Sequence, residues 1–355
     1  MNRRQFLVST SAVAGFGGMD ILGEPRSMEA RSARQQVVPV VKPRRLQAGD
    51  TVGLVSPATA TFQQIEQDIA RESLEALGLK VKLGPHLMDR HGYLGGEDKA
   101  RAADINQFFA DQSIKAVWPI RGGWGSARLL PYLDFEVIRR NPKIIIGYSD
   151  ITALLNPILA KTGLVTFHGP LGSGRWDAWS LDWLKRVLFD GEAVTFTNPS
   201  TQNPKNVLTQ IDDRTRPIAP GTATGRLVGG NLTVLTGIMG SPFVPSFDNA
   251  ILFVEDVHED LYRIDRMLTT LKLAGALEKI KGFIFGGCSQ CGPGEGYGAL
   301  TIEEIFTDHI VPLKVPAWQG AMFGHDQAQW TLPVGLTVKI DADAKTVTMT
   351  EPAVM

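Results

Sequence analysis

Short apolar runs alternate with stretches of helical spacing from Asp50 to about Pro170. The runs carry hydrophobic side chains on both faces, which is typical of buried parallel strands. Between them, apolar residues recur every three or four positions, as on a helix with one buried stripe. The pattern predicts a parallel α/β sheet. Its strands are expected at 51–58, 79–84, 114–120, 143–147 and 164–170, and its helices near 65–77, 99–109, 127–140 and after Ser149.

The pattern changes in the second half of the chain. Between Asn198 and Thr224, four prolines lie among Ser, Thr, Asn, Gln and Asp residues, a composition typical of a linker. Beyond it, apolar runs predict strands, with two clear helices near 261–273 and 301–310, the second opening on a capping box. We therefore predict an α/β protein with an N-terminal parallel-sheet domain at 45–197, a linker at 198–224 and a β-rich C-terminal domain at 225–355.

Chain length and charge narrow the classes of function. A chain of 355 residues exceeds the size at which one core usually stops growing, which favours two domains. The 36 basic and 37 acidic side chains give a formal charge of −1. Because neither nucleic acid nor an anionic membrane surface is recognised without a basic patch, we expect a small neutral or zwitterionic substrate.

The first twenty-odd residues resemble an export signal, and we expect residues 1–36 to comprise this signal and a disordered segment. Arg3 and Arg4 precede Phe6, Leu7 and a modestly apolar run, as in twin-arginine signals. The run is too short and too rich in Gly, Ser and Ala for a permanent membrane span. We expect an exported, periplasmic protein; an N-terminal helix that is not cleaved is the alternative.

Cysteine usage leaves two interpretations open. Cys288 and Cys291 form a single Cys-x-x-Cys pair, with no second pair or histidine at zinc-ligand spacing. A metal site is therefore not expected. A local disulfide and two loop thiols remain as alternatives.

A strand-to-helix turn at 147–150 is the first candidate for chemistry. Gly147-Tyr148-Ser149-Asp150 follows an apolar strand, and such turns present nucleophilic serines above a sheet. The full nucleophile-elbow motif would require a glycine at Ile151. The motif alone therefore favours a simple helix cap at Ser149.

A nucleophilic serine also needs a base and an acid that orients the base. Among six histidines, His325 lies in a glycine-flanked loop before a late strand, where catalytic side chains concentrate. Glu255 and Asp256 directly follow the apolar run 250–254 and are candidates for the acid that orients the base, because burying carboxylates there is costly without a purpose. Capping of the following helix is the alternative purpose.

Seven segments together resemble the LD-carboxypeptidase family of serine peptidases, which includes the microcin immunity hydrolases. They occur in the family's order and cover nearly everything from residue 45 to the C-terminus. The segments are VSPA at 55–58, RGGWGSARLL at 121–130, GYSD at 147–150, HGP at 168–170, GRLVGGNL at 225–232, EDVHEDLYRIDRML at 255–268 and FGHDQ at 323–327.

The resemblance implies a Ser149, Glu255 and His325 triad without a metal or organic cofactor. It further implies an oxyanion hole from the backbone N–H groups of Asp150 and Gly123. The implied architecture is a Rossmann-like N-terminal domain of the class I glutamine amidotransferase type, joined to a β-rich domain, in a homodimer. The triad would be completed where the two domains meet.

The resemblance also suggests the substrate. The family removes the terminal D-alanine of murein tetrapeptides, at a bond that follows an L-centre. Related enzymes act in the cytoplasm, which is the alternative to export. A second branch hydrolyses peptidyl-adenylates or aminoacyl-adenylates. An alternative of another class is a non-catalytic periplasmic binding protein, in which RGGWGS would bind an anion and Ser149 would cap a helix.

Overall fold

The computed structural model describes residues 38–199, 214–294, 298–325 and 328–355. The predicted export signal lies outside the described residues, as does the middle of the predicted linker, at 200–213. Within the described residues, no helix combines the length and apolar character needed to cross a membrane.

The described residues form fourteen strands in two sheets. In chain order these are β1 Thr51–Val55, β2 Lys80–Leu83, β3 Ile114–Pro119, β4 Ile144–Gly147, β5 Thr166–His168, β6 Thr195–Phe196, β7 Arg216–Ala219, β8 Thr222–Asn231, β9 Ala250–Val257, β10 Gly282–Ser289, β11 Ala317–Gln319, β12 Leu332–Val334, β13 Thr337–Asp341 and β14 Thr346–Met349.

Eight α-helices accompany the strands in the described part of the chain. They are α1 Gln64–Ala76, α2 Asp98–Ala110, α3 Phe135–Arg140, α4 Thr152–Thr162, α5 Ala178–Lys185, α6 Leu232–Gly237, α7 Leu261–Leu273 and α8 Ile302–His309.

The first sheet has the order β12-β5-β4-β3-β1-β2. Strands β1 to β5 are parallel, and β12 pairs antiparallel with β5. Since the central strands are buried on both faces, their apolar composition follows from their position. The order reverses between β1 and β3, and in such sheets ligands bind beyond the carboxyl ends of the strands at this switch point.

The second sheet has the order β6-β14-β13-β8-β9-β10-β11-β7. Strands β8 to β11 are parallel, whereas the outer strands pair antiparallel. The predicted fold class is confirmed: a parallel-sheet N-terminal half is joined to a sheet-rich C-terminal half.

Each sheet contains one strand from the other half of the chain. Strand β6 precedes the predicted linker but pairs with β14 of the second sheet, and β12 returns to the first sheet beside β5. Residues 216–219 and 222–224 of the predicted linker are strands rather than loop. The exchange ties the two halves together, and contacts group the described residues into one unit.

Three local predictions need correction or addition. The helix predicted at 127–140 is two elements, a 3₁₀ segment Ser126–Tyr132 containing Pro131 and then α3, which is capped by Asp134. Helix α6 was missed because the apolar run before it predicts only a strand; Asn231 caps it by accepting from the Val234 N–H at 3.0 Å. Cys288 and Cys291 form a disulfide, which settles the alternative left open by the sequence.

Other local predictions are confirmed. Helix α4 contains Pro157 and ends at Gly163, whose φ of 75° suits a left-handed C-terminal residue. The predicted capping box is present, with Thr301 and Glu304 bonding each other's backbone N–H groups at the start of α8.

Candidate active site

Ser149 occupies a strained turn between β4 and α4. Its φ is 61°, in the left-handed region that non-glycine residues seldom adopt and that costs of order 1–3 kcal/mol. The residue at the cap of α4 is Ile151, and Tyr148 precedes the single 3₁₀ turn Ser149–Ile151; neither gives a side-chain cap. Ser149 is therefore not the helix cap that the motif alone favours, and the binding-protein alternative loses that support.

The glycine-rich loop after β3 lies directly against this turn. A Cβ placed on Gly122 would lie 3.2 Å from Ser149 Oγ, so the missing side chain permits the approach. Gly123 has a φ of 113°, and a Cβ there would collide with the Thr59 side chain. Thr59 Oγ1 accepts from the next N–H, that of Trp124, at 3.0 Å. The loop is thereby fixed between the carboxyl ends of β1 and β3.

Asp150 joins the serine turn to the same loop. Its carboxylate is buried, and Oδ2 accepts a hydrogen bond from the Ser126 N–H at 2.7 Å. Burial raises the pKa of Asp150, while the hydrogen bonds from Ser126 lower it in part. The side chain of Asp150 thus has a structural contact that the sequence did not reveal, separate from the oxyanion role predicted for its backbone N–H.

Glu255 and His325 form a close pair. Nδ1 of His325 lies 2.7 Å from Oε2 of Glu255, whose side chain is fully buried on β9. Gly324, with a φ of 107°, makes this contact possible, because a Cβ there would lie 2.5 Å from the same carboxylate oxygen. With the carboxylate as acceptor, Nδ1 carries the proton and Nε2 is left as a base.

Ser149 and His325 line a single cavity of about 260 Å³ beyond the carboxyl edge of the first sheet. The cavity also includes Gly123, one of the two predicted oxyanion donors, whereas Glu255 lies behind His325. The lining residues are Glu66, Arg121, Gly122, Gly123, Tyr148, Ser149, Leu171, Ser173, Gly174 and His325.

The loop that carries His325 runs from one sheet to the other. It leaves β11 of the second sheet and leads to β12, which pairs with β5 of the first. This path explains how a late residue reaches a serine on an early strand.

Buried hydrogen bonds fix the serine helix on the second sheet. Asn156 Nδ2 donates to the Gly229 carbonyl at 2.8 Å, and its Oδ1 accepts from the Gly229 N–H at 3.3 Å. Thr152 Oγ1 accepts from the Asn231 N–H at 3.0 Å. Because Asn231 is in register with Glu255 on the neighbouring strand, α4 is aligned with the strand that carries the acid.

Asp256, next to Glu255, has different partners. Its carboxylate accepts from Asn231 Nδ2, from the N–H and hydroxyl of Thr233, and from the Val257 N–H. Burial, followed by the charge of Glu255, raises the pKa of Asp256 to about 6. These bonds tie β9 to the start of α6, so Asp256 acts as a structural partner of that helix.

Three other histidines pair with carboxylates and are not among the residues that line the cavity. His86 pairs with Asp104 at 2.6 Å, His91 with Glu97 at 2.9 Å and His309 with Asp265 at 2.7 Å. His168 is different, because it is fully buried and neither ring nitrogen has a hydrogen-bond partner among the described residues. In the described part of the chain, no group of three His, Cys, Asp or Glu side chains is arranged to hold a metal ion.

Sequence analysis did not identify two charged residues of the cavity. Arg121 directly precedes the glycine pair and could have been noted for that reason. Glu66 lies on α1 far from any motif, and only the fold brings it to the cavity.

Two family models match this chain. The model of the LD-carboxypeptidase N-terminal domain matches residues 52–169, and that of the LD-carboxypeptidase C-terminal domain matches residues 224–340. These two ranges contain Ser149, Glu255 and His325.

Individual relatives cover most of the chain. The probable murein peptide carboxypeptidase of Bacillus subtilis is 39% identical over 309 residues, which span 86% of this chain and 93% of the relative. The solved structure of MccF in complex with glutamyl sulfamoyl guanosine matches with a TM-score of 0.78 at 30% identity, covering 88% of this chain and 99% of that one. Muramoyltetrapeptide carboxypeptidase from Oxalobacter formigenes matches with a TM-score of 0.71 at 27% identity, covering 85% and 99%.

Proposed function

The chain belongs to the LD-carboxypeptidase family, and from this membership we propose that it is a serine carboxypeptidase that removes the terminal D-alanine from murein tetrapeptides. The cleaved amide bond would join an L-centre to the D-residue. The names of the Bacillus and Oxalobacter relatives support this substrate class.

In this proposal Ser149 is the nucleophile, His325 the general base and Glu255 the acid that orients it. His325 takes the hydroxyl proton as Ser149 Oγ bonds to the carbonyl carbon, and returns that proton to the leaving amine when the C–N bond breaks. Water, deprotonated by the same imidazole, then hydrolyses the acyl-enzyme. Buried Glu255 holds the Nδ1–H tautomer and stabilises the imidazolium that forms in each step.

The oxyanion would be stabilised by the backbone N–H groups of Gly123 and Asp150. One follows Gly122, which adjoins Ser149, and the other belongs to the residue after the nucleophile. Donors fixed by the backbone in this way stabilise developing charge without reorganising during the reaction.

The observation that carries the proposal is the His325–Glu255 pair, at 2.7 Å, on the cavity that also contains Ser149. Ser149 is moreover held in a strained left-handed turn, as nucleophilic serines of hydrolases are.

The test combines turnover with active-site labelling. A tetrapeptide ending in L-Lys-D-Ala is incubated with the protein, D-alanine release is followed by mass spectrometry, and a fluorophosphonate probe reports the reactive serine. Ser149→Ala should abolish labelling and lower release by at least about 10³-fold. His91→Ala, which removes an exposed histidine that is not among the residues lining the cavity, is the control and should behave as wild type. Release by Ser149→Ala at the wild-type rate would refute the assignment.

Hydrolysis of aminoacyl-adenylates is the second candidate, since the MccF structure holds a glutamyl sulfamoyl nucleoside. An aminoacyl-adenylate with a non-hydrolysable sulfamoyl control belongs in the same assay. Faster turnover of the adenylate than of the tetrapeptide would favour this activity.

We further propose that the protein is exported through a twin-arginine signal that contains Arg3 and Arg4. Fractionation of cells expressing the wild type and the Arg3→Lys, Arg4→Lys double variant tests export.

We also propose a homodimer, on the basis of the family resemblance. Light scattering coupled to size-exclusion chromatography tests the dimer.

A further inference from the structure

The Ser149 cavity contains an ion pair whose purpose the triad does not explain. Arg121 Nη1 lies 3.2 Å from Glu66 Oε1, and the two side chains are 33% and 32% exposed. Of the described residues that line the cavity, Arg121 is the permanent cation and Glu66 the carboxylate. An exposed ion pair contributes little to the stability of the fold. A pair at a cavity wall can instead bind a ligand.

Among the described residues, hydrogen bonds use only one edge of the Arg121 guanidinium. The hydrogen bonds of Arg121 to described residues all come from Nη1, to both oxygens of Glu66 and, at 3.4 Å, to the Ala60 carbonyl. The Nε and Nη2 donors form the other edge. That edge has the fork geometry that binds a carboxylate through two parallel hydrogen bonds.

Arg121 also lines the same cavity as the reacting serine. It adjoins Gly122, and a Cβ on Gly122 would lie within 3.2 Å of Ser149 Oγ. In a carboxypeptidase substrate the terminal carboxylate is one residue beyond the scissile carbonyl, at most about 3.6 Å away. A carboxylate so close to Ser149 lies within reach of a long side chain from the neighbouring residue.

We propose that Arg121 is the specificity residue that binds the free terminal carboxylate of the substrate, with Glu66 holding the guanidinium in position. The inference rests on the proposed function and deepens it, because it explains why this site would cut only the last bond of a peptide. Glu66 neutralises the guanidinium in the empty site and leaves the opposite edge for the substrate.

The proposal makes the cavity selective for an unblocked C-terminus. A peptide amide offers no negative charge to Arg121 and leaves one side of its fork unpaired. Sites built for a specific polar partner reject analogues that lack it by large factors. We expect wild-type kcat/KM to be at least about 10²-fold higher for the free acid than for the amide of the same tetrapeptide.

The experiment measures that ratio in matched variants. Arg121→Ala should lower kcat/KM for the free acid and bring the ratio of acid to amide close to one, and added guanidinium ion should restore part of the selectivity. Arg121→Lys keeps a charge without the fork and should retain an intermediate ratio. Glu66→Gln should keep selectivity and raise KM, because the guanidinium is less well positioned. Arg140→Ala, which removes an exposed arginine, is the control.

The labelling assay separates the two levels of the proposal. If Ser149 is labelled and the tetrapeptide is cut, but Arg121→Ala and Arg121→Lys keep the wild-type ratio, the role of Arg121 is overturned and the proposed function stands. If wild type is neither labelled nor active on either peptide, the proposed function falls and this inference falls with it. Circular dichroism of each variant verifies the fold before kinetics.

Discussion

The imidazole of His168 packs edge to face against the ring of Phe323, with centroids 5.9 Å apart. The same imidazole contacts Phe253 at 5.5 Å and Tyr148 at 6.1 Å. Phe323 and Phe253 lie two residues before His325 and Glu255, and Tyr148 lies one residue before Ser149. One buried ring therefore contacts each of the three segments that carry the proposed triad.

Replacement of His168 by phenylalanine should change how stability depends on pH. Burial, followed by the charge of His325, lowers the pKa of His168 to about 3 from an ordinary 6.5. Below pH 6.5 the imidazole of His168 is protonated in the unfolded chain, whereas in the folded protein it stays neutral down to about pH 3. The free energy of unfolding therefore falls as the pH drops from 6.5 towards 3. When the pH is lowered from 7 to 5, the free energy of unfolding of His168→Phe should fall by about 2 kcal/mol less than that of wild type.

Urea unfolding at the two pH values measures this difference. His91→Ala, which removes an exposed imidazole, controls for the loss of one histidine. An equal loss of stability in His168→Phe and wild type would show that His168 can take up a proton without unfolding the protein.

Replacement of Glu255 by glutamine should lower kcat and leave KM nearly unchanged. Glutamine keeps an oxygen for the Nδ1–H of His325 but removes the charge that stabilises the imidazolium, and its amide can turn and select the wrong tautomer. Loss of an orienting carboxylate predicts a drop in kcat of roughly 10²–10⁴-fold. Steady-state kinetics and the rate of fluorophosphonate labelling at Ser149 measure the change.

Glu259→Gln is the matched control for this variant. Glu259 follows the same strand and accepts from Thr233 Oγ1 at 3.1 Å, so its replacement should alter kcat by less than about twofold if the orienting role belongs to Glu255. Equal effects of the two substitutions would argue against that role.

Sequence patterns predicted the parts of the site that depend on local structure. Ser149 follows a buried strand, Glu255 lies near the end of another, and His325 lies beside a glycine in a loop, so each was a candidate from its own neighbours, whereas their joint role as a triad came from the family resemblance. Local pattern could not supply the return of β12 to the first sheet, because pairing with β5 joins residues more than 160 positions apart. The Arg121–Glu66 pair escaped notice for the same reason, since Glu66 belongs to an otherwise ordinary helix.

Competing local signals explain the remaining errors. The stretch 127–140 has helical spacing, but Pro131 cannot donate a backbone hydrogen bond, and Asp134 restarts the helix as a cap. In the predicted linker, Pro217 suggested a loop, yet β7 is an edge strand, where proline is tolerated.

Replacement of Gly123 by alanine should reduce activity more than stability. The backbone has a φ of 113° and a Cβ would collide with Thr59, so the loop must shift and move its N–H away from the oxyanion. Loss of one such donor predicts a fall in kcat of about 10²–10³-fold. Gly92→Ala is the control, because Gly92 also has a positive φ, of 62°, but open space around it. Thermal unfolding should show a loss in both variants, and kcat should fall only in Gly123→Ala.

Replacement of Asn156 by alanine should weaken both the fold and the reaction. The substitution leaves the buried N–H and carbonyl of Gly229 without their partner, which predicts a loss of about 2–4 kcal/mol in the free energy of unfolding. It also releases α4 from the strand next to β9, so Ser149 loses its alignment with Glu255 and kcat should fall. Thr162→Val removes a buried hydrogen bond to Ile158 at the opposite end of the same helix. Chemical denaturation should show that both variants are destabilised, whereas the kcat of Thr162→Val should stay near wild type, and an equal fall in both would mean that α4 affects the reaction only through general stability.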